Sequence, residues 1–214
     1  MNKRILRFFP RLLLFILSPT RFIVECLKRM FPASWSKILT CWNLGFLGLS
    51  AVICIILWFV RPCAWPWPLR CCFFLWVVPF SRINEISYAF PKDAIQQLSG
   101  ASKRTTFSPA QRLGFLASSY VEVALDFGIF YFFLPAGMFS KPFSSIIHAV
   151  YFSWVTITTT GYGDITPQCA QSQLLCMWEL AVGLTLVVLA VGSYISSFQR
   201  SDKNGSHEAG ETSR

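Results

Sequence analysis

The sequence predicts an all-α membrane protein with four membrane-spanning helices, and three observations carry that reading. Of 214 residues, 54% are hydrophobic and only 14% charged, and the mean hydropathy is positive. That balance lies outside the range of soluble globular domains. Apolar runs near the ~20 residues that a spanning helix needs recur four times, over 38–60, 62–81, 113–134 and 174–198. Lys and Arg fall between these runs, where membrane topology accounts for them. A net charge of +9 therefore implies no nucleic-acid partner, because the cations do not form one soluble basic face.

Residues 1–37 form a basic amphipathic N-terminal segment. Its eight Lys and Arg residues alternate with Phe, Leu and Ile, and Pro10 and Pro19 break it. It is expected as one or two pieces on the cytoplasmic surface, with cations towards anionic lipid headgroups. A secretory signal fits poorly, since Arg7 and Arg11 interrupt its apolar core. Residues 38–81 follow as a transmembrane hairpin, with one span plus a re-entrant piece as the alternative, because the apolar part of the second run is short. Gly45 and Gly48 would allow a close helix neighbour, and Trp65 to Pro68 make an interfacial turn. Residues 82–111 are expected as a cytoplasmic linker with an interfacial helix, and Ser108 before Pro109 as the cap of the next helix. Residues 112–198 form a two-helix module. Residues 199–214 are polar and expected as a disordered cytoplasmic tail. The eight cysteines lie mostly inside apolar runs and read as buried thiols, with only Cys63 and Cys169 at positions open to a disulfide.

The chemistry concentrates in Thr158–Asp164, between the short apolar run 146–155 and the last span. Removing a cation's water inside a membrane is prohibitive unless other oxygens replace it. Backbone carbonyls supply them if consecutive residues all aim at one axis, which needs alternating left- and right-handed backbone. Gly161 and Gly163 permit that alternation. The Tyr162 ring would pack outwards and hold the width of the ribbon, and the Thr159 hydroxyl adds a further oxygen.

These residues resemble the pore module of potassium channels over about 112–198. That family's filter usually reads Thr-Val-Gly-Tyr-Gly, and here Thr160 stands in place of Val. The resemblance implies K+ ligation by Thr159, Thr160, Gly161 and Tyr162, with Gly163, Asp164 and Tyr151 as filter support. It also implies a re-entrant pore helix capped by Ser144 and an outward-facing filter. In the family, two pore-helix aromatics clasp the filter tyrosine and the following aspartate. Tyr151 and Phe152 hold those positions, and Phe152 has no donor for Asp164. One ribbon gives one strand of oxygens and the chain has no internal repeat, so the implied assembly is a homotetramer. Gly183 matches the family's hinge glycine, with close helix packing as its alternative role.

Glu122 and Asp126, spaced i,i+4, and Glu179 lie within apolar runs. Such acids are costly there and are either pH-sensitive or structural. His148 in the pore helix reads chiefly as a packed or hydrogen-bonded histidine rather than a pH switch. No helix repeats Arg or Lys every third residue, so no voltage sensor of the usual kind is expected. The expected protein is thus a multi-pass channel of the cell membrane, plasma or bacterial inner. Both its termini are cytoplasmic, because segment 82–112 carries five cations and the filter side only Lys141. It would pass K+ passively, with lipids and its own copies as partners and without catalysis, organic cofactor, nucleic acid or small-molecule substrate. A non-selective cation channel and a non-conducting assembly or regulatory subunit are the alternatives.

Overall fold

The computed structural model describes residues 18–32, 34–59, 73–98 and 107–211. The Trp65–Pro68 turn, Cys63 and the whole of segments 1–17 and 99–106 lie outside them. Six helices run in the order α1 Pro19–Met30, α2 Trp35–Phe59, α3 Phe73–Leu98, α4 Pro109–Phe132, α5 Ile146–Ile157 and α6 Ala170–Glu211. Among the described residues there is no strand. Three helical stretches among the described residues are long and apolar enough to cross a membrane: Trp35–Phe59, Ala110–Phe132 and Ala170–Gly192. Helix α5 is apolar but too short to span.

Helix α4 is the centre of the bundle. Ser108 caps it, as its place before Pro109 predicts: the Ser108 hydroxyl accepts from the Gln111 N–H, and the Gln111 side chain accepts from the Ser108 N–H. This capping box satisfies donors that the first helical turn leaves open. On its core side α4 buries Val123, Phe127 and Phe130. The Phe127 and Phe130 rings meet Trp178 of α6 edge-on, with Phe80 of α3 against the same indole. Close approach of α4 and α5 depends on Gly128, where a Cβ would lie 2.9 Å from the Val150 Cα. By contrast, Gly45 and Gly48 have no neighbour within 4 Å of where a Cβ would sit, so within one chain they do not serve the close packing expected of them. Their part of α2 faces outwards, beside exposed Leu44 and Leu49.

Helix α3 runs straight through the junction drawn at residue 81. Arg82, expected at the head of a linker, is 2% exposed. Its guanidinium donates to Glu122 of α4 at 2.6 and 3.2 Å and to Asn43 of α2 at 2.6 Å, and it pairs with Glu85 at 2.9 Å. The Phe46 ring stacks at 5.0 Å. A charge count alone places an arginine outside the membrane, but this one is paired by groups from two other helices, which offsets its desolvation. Helix α1 also enters the bundle instead of only lying across it: Ser18 donates to the Ser81 carbonyl at 3.0 Å, and the Thr20 and Ser81 hydroxyls are 2.8 Å apart. Helix α6 continues to Glu211, past the point at 198 where a disordered tail was expected. Extending a formed helix needs no new nucleus, and the stretch holds Lys203, Glu208 and Ala209, which favour helix.

Candidate functional site

Helix α5 aims its C-terminus at the predicted filter. Its cap is Ser145, whose hydroxyl accepts from the His148 N–H. Ser144, the expected cap, sits one residue early and bonds the His148 ring at 2.8 Å. His148 is thus an exposed, hydrogen-bonded histidine at the first turn.

At the other end of α5 the chain leaves as a ribbon with positive φ at alternate residues: Thr159 (58°), Gly161 (58°) and Gly163 (75°). The two glycines are where the sequence calls for left-handed backbone. Thr159 is a third such position, and no composition rule flags a threonine there, since a β-branched residue resists that conformation. The N–H groups of Thr160 and Gly161 both donate back to the Val155 carbonyl, at 3.0 and 3.3 Å. In a trans peptide the carbonyl points opposite to the N–H of the same plane, and there is no cis bond among the described residues. The Thr159 and Thr160 carbonyls therefore both point away from the pore helix, on one side of the ribbon. This is the arrangement that replacing a cation's hydration shell requires.

The substitution at Thr160 is accommodated. The Thr158 hydroxyl gives its proton to the Trp154 carbonyl at 2.5 Å and lies 2.9 Å from the Thr160 hydroxyl, which donates to it in turn. The hydroxyl that replaces an apolar Val face thus has a partner. Below the ribbon, the Tyr120 hydroxyl of α4 donates to the Ile157 carbonyl at 3.0 Å, a support the sequence reading missed. Gly183 lies under the same residue, and a Cβ there would meet the Ile157 Cγ1 at 2.5 Å. Gly183 therefore has the close-packing role.

The aromatic support is arranged differently from the expectation. Phe152 faces inwards, 5% exposed, between Tyr131, Phe139 and Phe143. Tyr151 serves the ribbon chiefly through its ring, which stacks on Tyr162 at 6.5 Å with 4° between planes, and its hydroxyl lies within the influence of the Asp164 charge. Partial desolvation, then the Asp164 charge, hold the Tyr151 phenol above its ordinary range. Beyond the filter, residues 138–140 are stitched to 166–168 by an isolated antiparallel bridge, with the Ser140 N–H on the Thr166 carbonyl and the Gln168 N–H on the Met138 carbonyl, both at 2.9 Å. Cys169 is a free thiol, drawn below its ordinary range by the Ser172 hydroxyl.

The three intramembrane acids are all engaged in packing. Glu122 holds Arg82. Asp126 accepts from the Ser50 hydroxyl of α2 at 2.6 Å. Glu179 is fully buried and accepts from the Tyr131 hydroxyl at 2.6 Å, with the Ser153 hydroxyl on its other oxygen. It joins α4, α5 and α6 behind the pore helix. Among the described residues no three His, Cys, Asp or Glu side chains gather as a metal site.

With this geometry in place, comparison with known proteins is consistent with it. Residues 119–200 match the family model described as "Ion channel", so this part of the chain is similar to that family's domain. The chain is also 30% identical over 96 residues to the A-type voltage-gated potassium channel KCND3 of Homo sapiens and to that of Rattus norvegicus. The matched stretch is 45% of this chain and 15% of the relatives' length. No solved structure gives a significant match. The matched family and relatives are channels, not enzymes, and with its apolar helices the chain is a membrane protein of potassium-channel resemblance.

Proposed function

We propose that the chain is a subunit of a homotetrameric channel that lets K+ run down its gradient through a filter of Thr159, Thr160, Gly161 and Tyr162 carbonyls. The observation that carries this is the alternation of left-handed backbone at 159, 161 and 163, with the Thr159 and Thr160 carbonyls turned to one side. Every residue of Thr158–Asp164 is exposed in the single chain, and Tyr162 is 69% exposed. A ring of copies about an axis covers that face and closes the oxygen cage. The full topology has four spans, α2, α3, α4 and α6, with the filter outside and both termini cytoplasmic. Exposed Leu184, Val187 and Val191 on α6 would line the inner cavity. Gly183, packed closely against Ile157, is the point at which α6 would bend on opening.

The test is reversal potential in liposomes carrying purified protein under opposed K+ and Na+ gradients. A potential near the K+ equilibrium value is expected. A value near zero means a non-selective pore, and no current at all means a non-conducting assembly.

A further inference from the structure

Two cations of the N-terminal half, Arg21 and Lys92, share one tyrosine. The Arg21 guanidinium lies 3.4 Å from the centre of the Tyr88 ring and the Lys92 ammonium 5.1 Å from it. Neither has an acidic partner within salt-bridge distance among the described residues. Glu25, one turn from Arg21, makes no such pair, and Asp93 is engaged with Arg112 at 3.1 Å. Tyr88 itself is 42% exposed. Two like charges held together without a counter-ion attract an anion from outside the chain.

Their depth identifies where that anion resides. Arg82 bonds Glu122, twelve residues into the α4 span, so it lies about 18 Å from the end of the bundle opposite the filter. Tyr88 and Lys92 follow it along α3 by six and ten residues, which brings them within about 9 and 3 Å of that end. The Asp93–Arg112 pair places α3 there independently, since Arg112 sits in the first turn of α4. This is the level of the headgroups, within reach of a long cationic side chain.

About 100° round α3 from these residues, α3 and α6 leave a cavity of about 220 Å³, lined by Ser87, Pro91, Trp178, Val182, Thr185 and Leu186 among others. Ser87 and Pro91 are the immediate chain neighbours of Tyr88 and Lys92. The two hydroxyls in the lining are already used: Ser87 donates to the Ile83 carbonyl at 2.7 Å and Thr185 to the Ala181 carbonyl at 2.6 Å. Apart from the Trp178 indole N–H, what remains towards the cavity is apolar, and it suits an acyl chain rather than a polar ligand.

We infer that Arg21, Lys92 and the α3–α6 cavity form a site for an anionic phospholipid of the leaflet opposite the filter, with its phosphate between the two cations and an acyl chain against α6. The occupant would touch the inner helix directly at Val182 to Leu186, on either side of the turn that follows Gly183, so its presence bears on the helix that would move. The site depends on the chain being embedded in a membrane and not on its ion selectivity.

Native mass spectrometry of purified full-length protein, delipidated and titrated with phosphatidylglycerol or phosphatidylcholine of identical chains, reads the site directly. Preferential retention of phosphatidylglycerol is expected. Arg21→Gln with Lys92→Gln should lower that preference roughly tenfold, whereas Lys37→Gln, an exposed cation on α2, should leave it. Equal retention of the two lipids by the wild type, or an unchanged preference in the double variant, overturns the proposal. Glycerol phosphate competing as well as the whole lipid also overturns it, because it would mean a soluble-anion site without the acyl cavity. A circular-dichroism melt like that of the wild type confirms that the surface variants fold.

Discussion

At the residue scale, the filter is stiffened by one hydroxyl. Tyr151 stacks on Tyr162 and sets its hydroxyl against the Asp164 charge, so Tyr151→Phe should leave the stack but remove the polar neighbour of the aspartate. Faster loss of current during sustained opening is the expected result, read in planar bilayers. The wild type should show a related pH effect. Because desolvation and the Asp164 charge raise the phenol, the neutral Tyr151 hydroxyl is fully present beside Asp164 below the ordinary tyrosine value of 10.0 and is lost as external pH climbs through the higher folded value. Decay of current should therefore accelerate only in strongly alkaline solution, and the Tyr151→Phe channel should be insensitive over that window. The glycine positions of the ribbon were legible because glycine alone adopts left-handed backbone freely. The division of work between Tyr151 and Phe152 was not, because neighbouring helical residues point about 100° apart and sequence does not say which of them faces the filter.

At the scale of elements, helix contacts depend on where the small residues face. Gly128, unremarked in the sequence, is the point where α4 and α5 nearly touch, while Gly45 and Gly48, which spacing singles out, have nothing beside them. Spacing shows that a helix can be approached closely, but not that another helix is there. Gly128→Val should push α5 away from α4 at a backbone contact and cost about 1–3 kcal/mol. A lower melting temperature in detergent and weaker current would register it, and Gly48→Val should do neither. The caps follow a similar division. Ser108 was readable because Pro109 follows it, whereas Ser144 and Ser145 offer the same chemistry at adjacent positions and only the backbone chooses.

At the scale of the whole molecule, the first three helices and the pore half are joined by charge. Arg82 alone carries bonds to α2 and α4. Arg82→Met should cost about 3–5 kcal/mol by leaving both Glu122 and Glu85 buried without their cation. Adding Glu122→Leu should recover much of that loss, since Glu85 keeps its bond from the Trp42 indole. Thermal melts of the two single variants and the double variant measure the coupling. Hydropathy and charge counting found the apolar runs but put the bundle's boundary at Arg82, because a charge is scored as external until its partners are visible.

That pairing also has a consequence for biosynthesis. The Glu122 that satisfies Arg82 lies 40 residues later in the chain. While α3 leaves the ribosome its arginine has no acid from α4 to meet, so the helix has no comfortable residence in lipid until α4 arrives. The two should settle in the bilayer as one unit. A nascent chain stopped after residue 106 should leave α3 accessible to aqueous labelling at an engineered cysteine, and one extended past residue 132 should protect the same site.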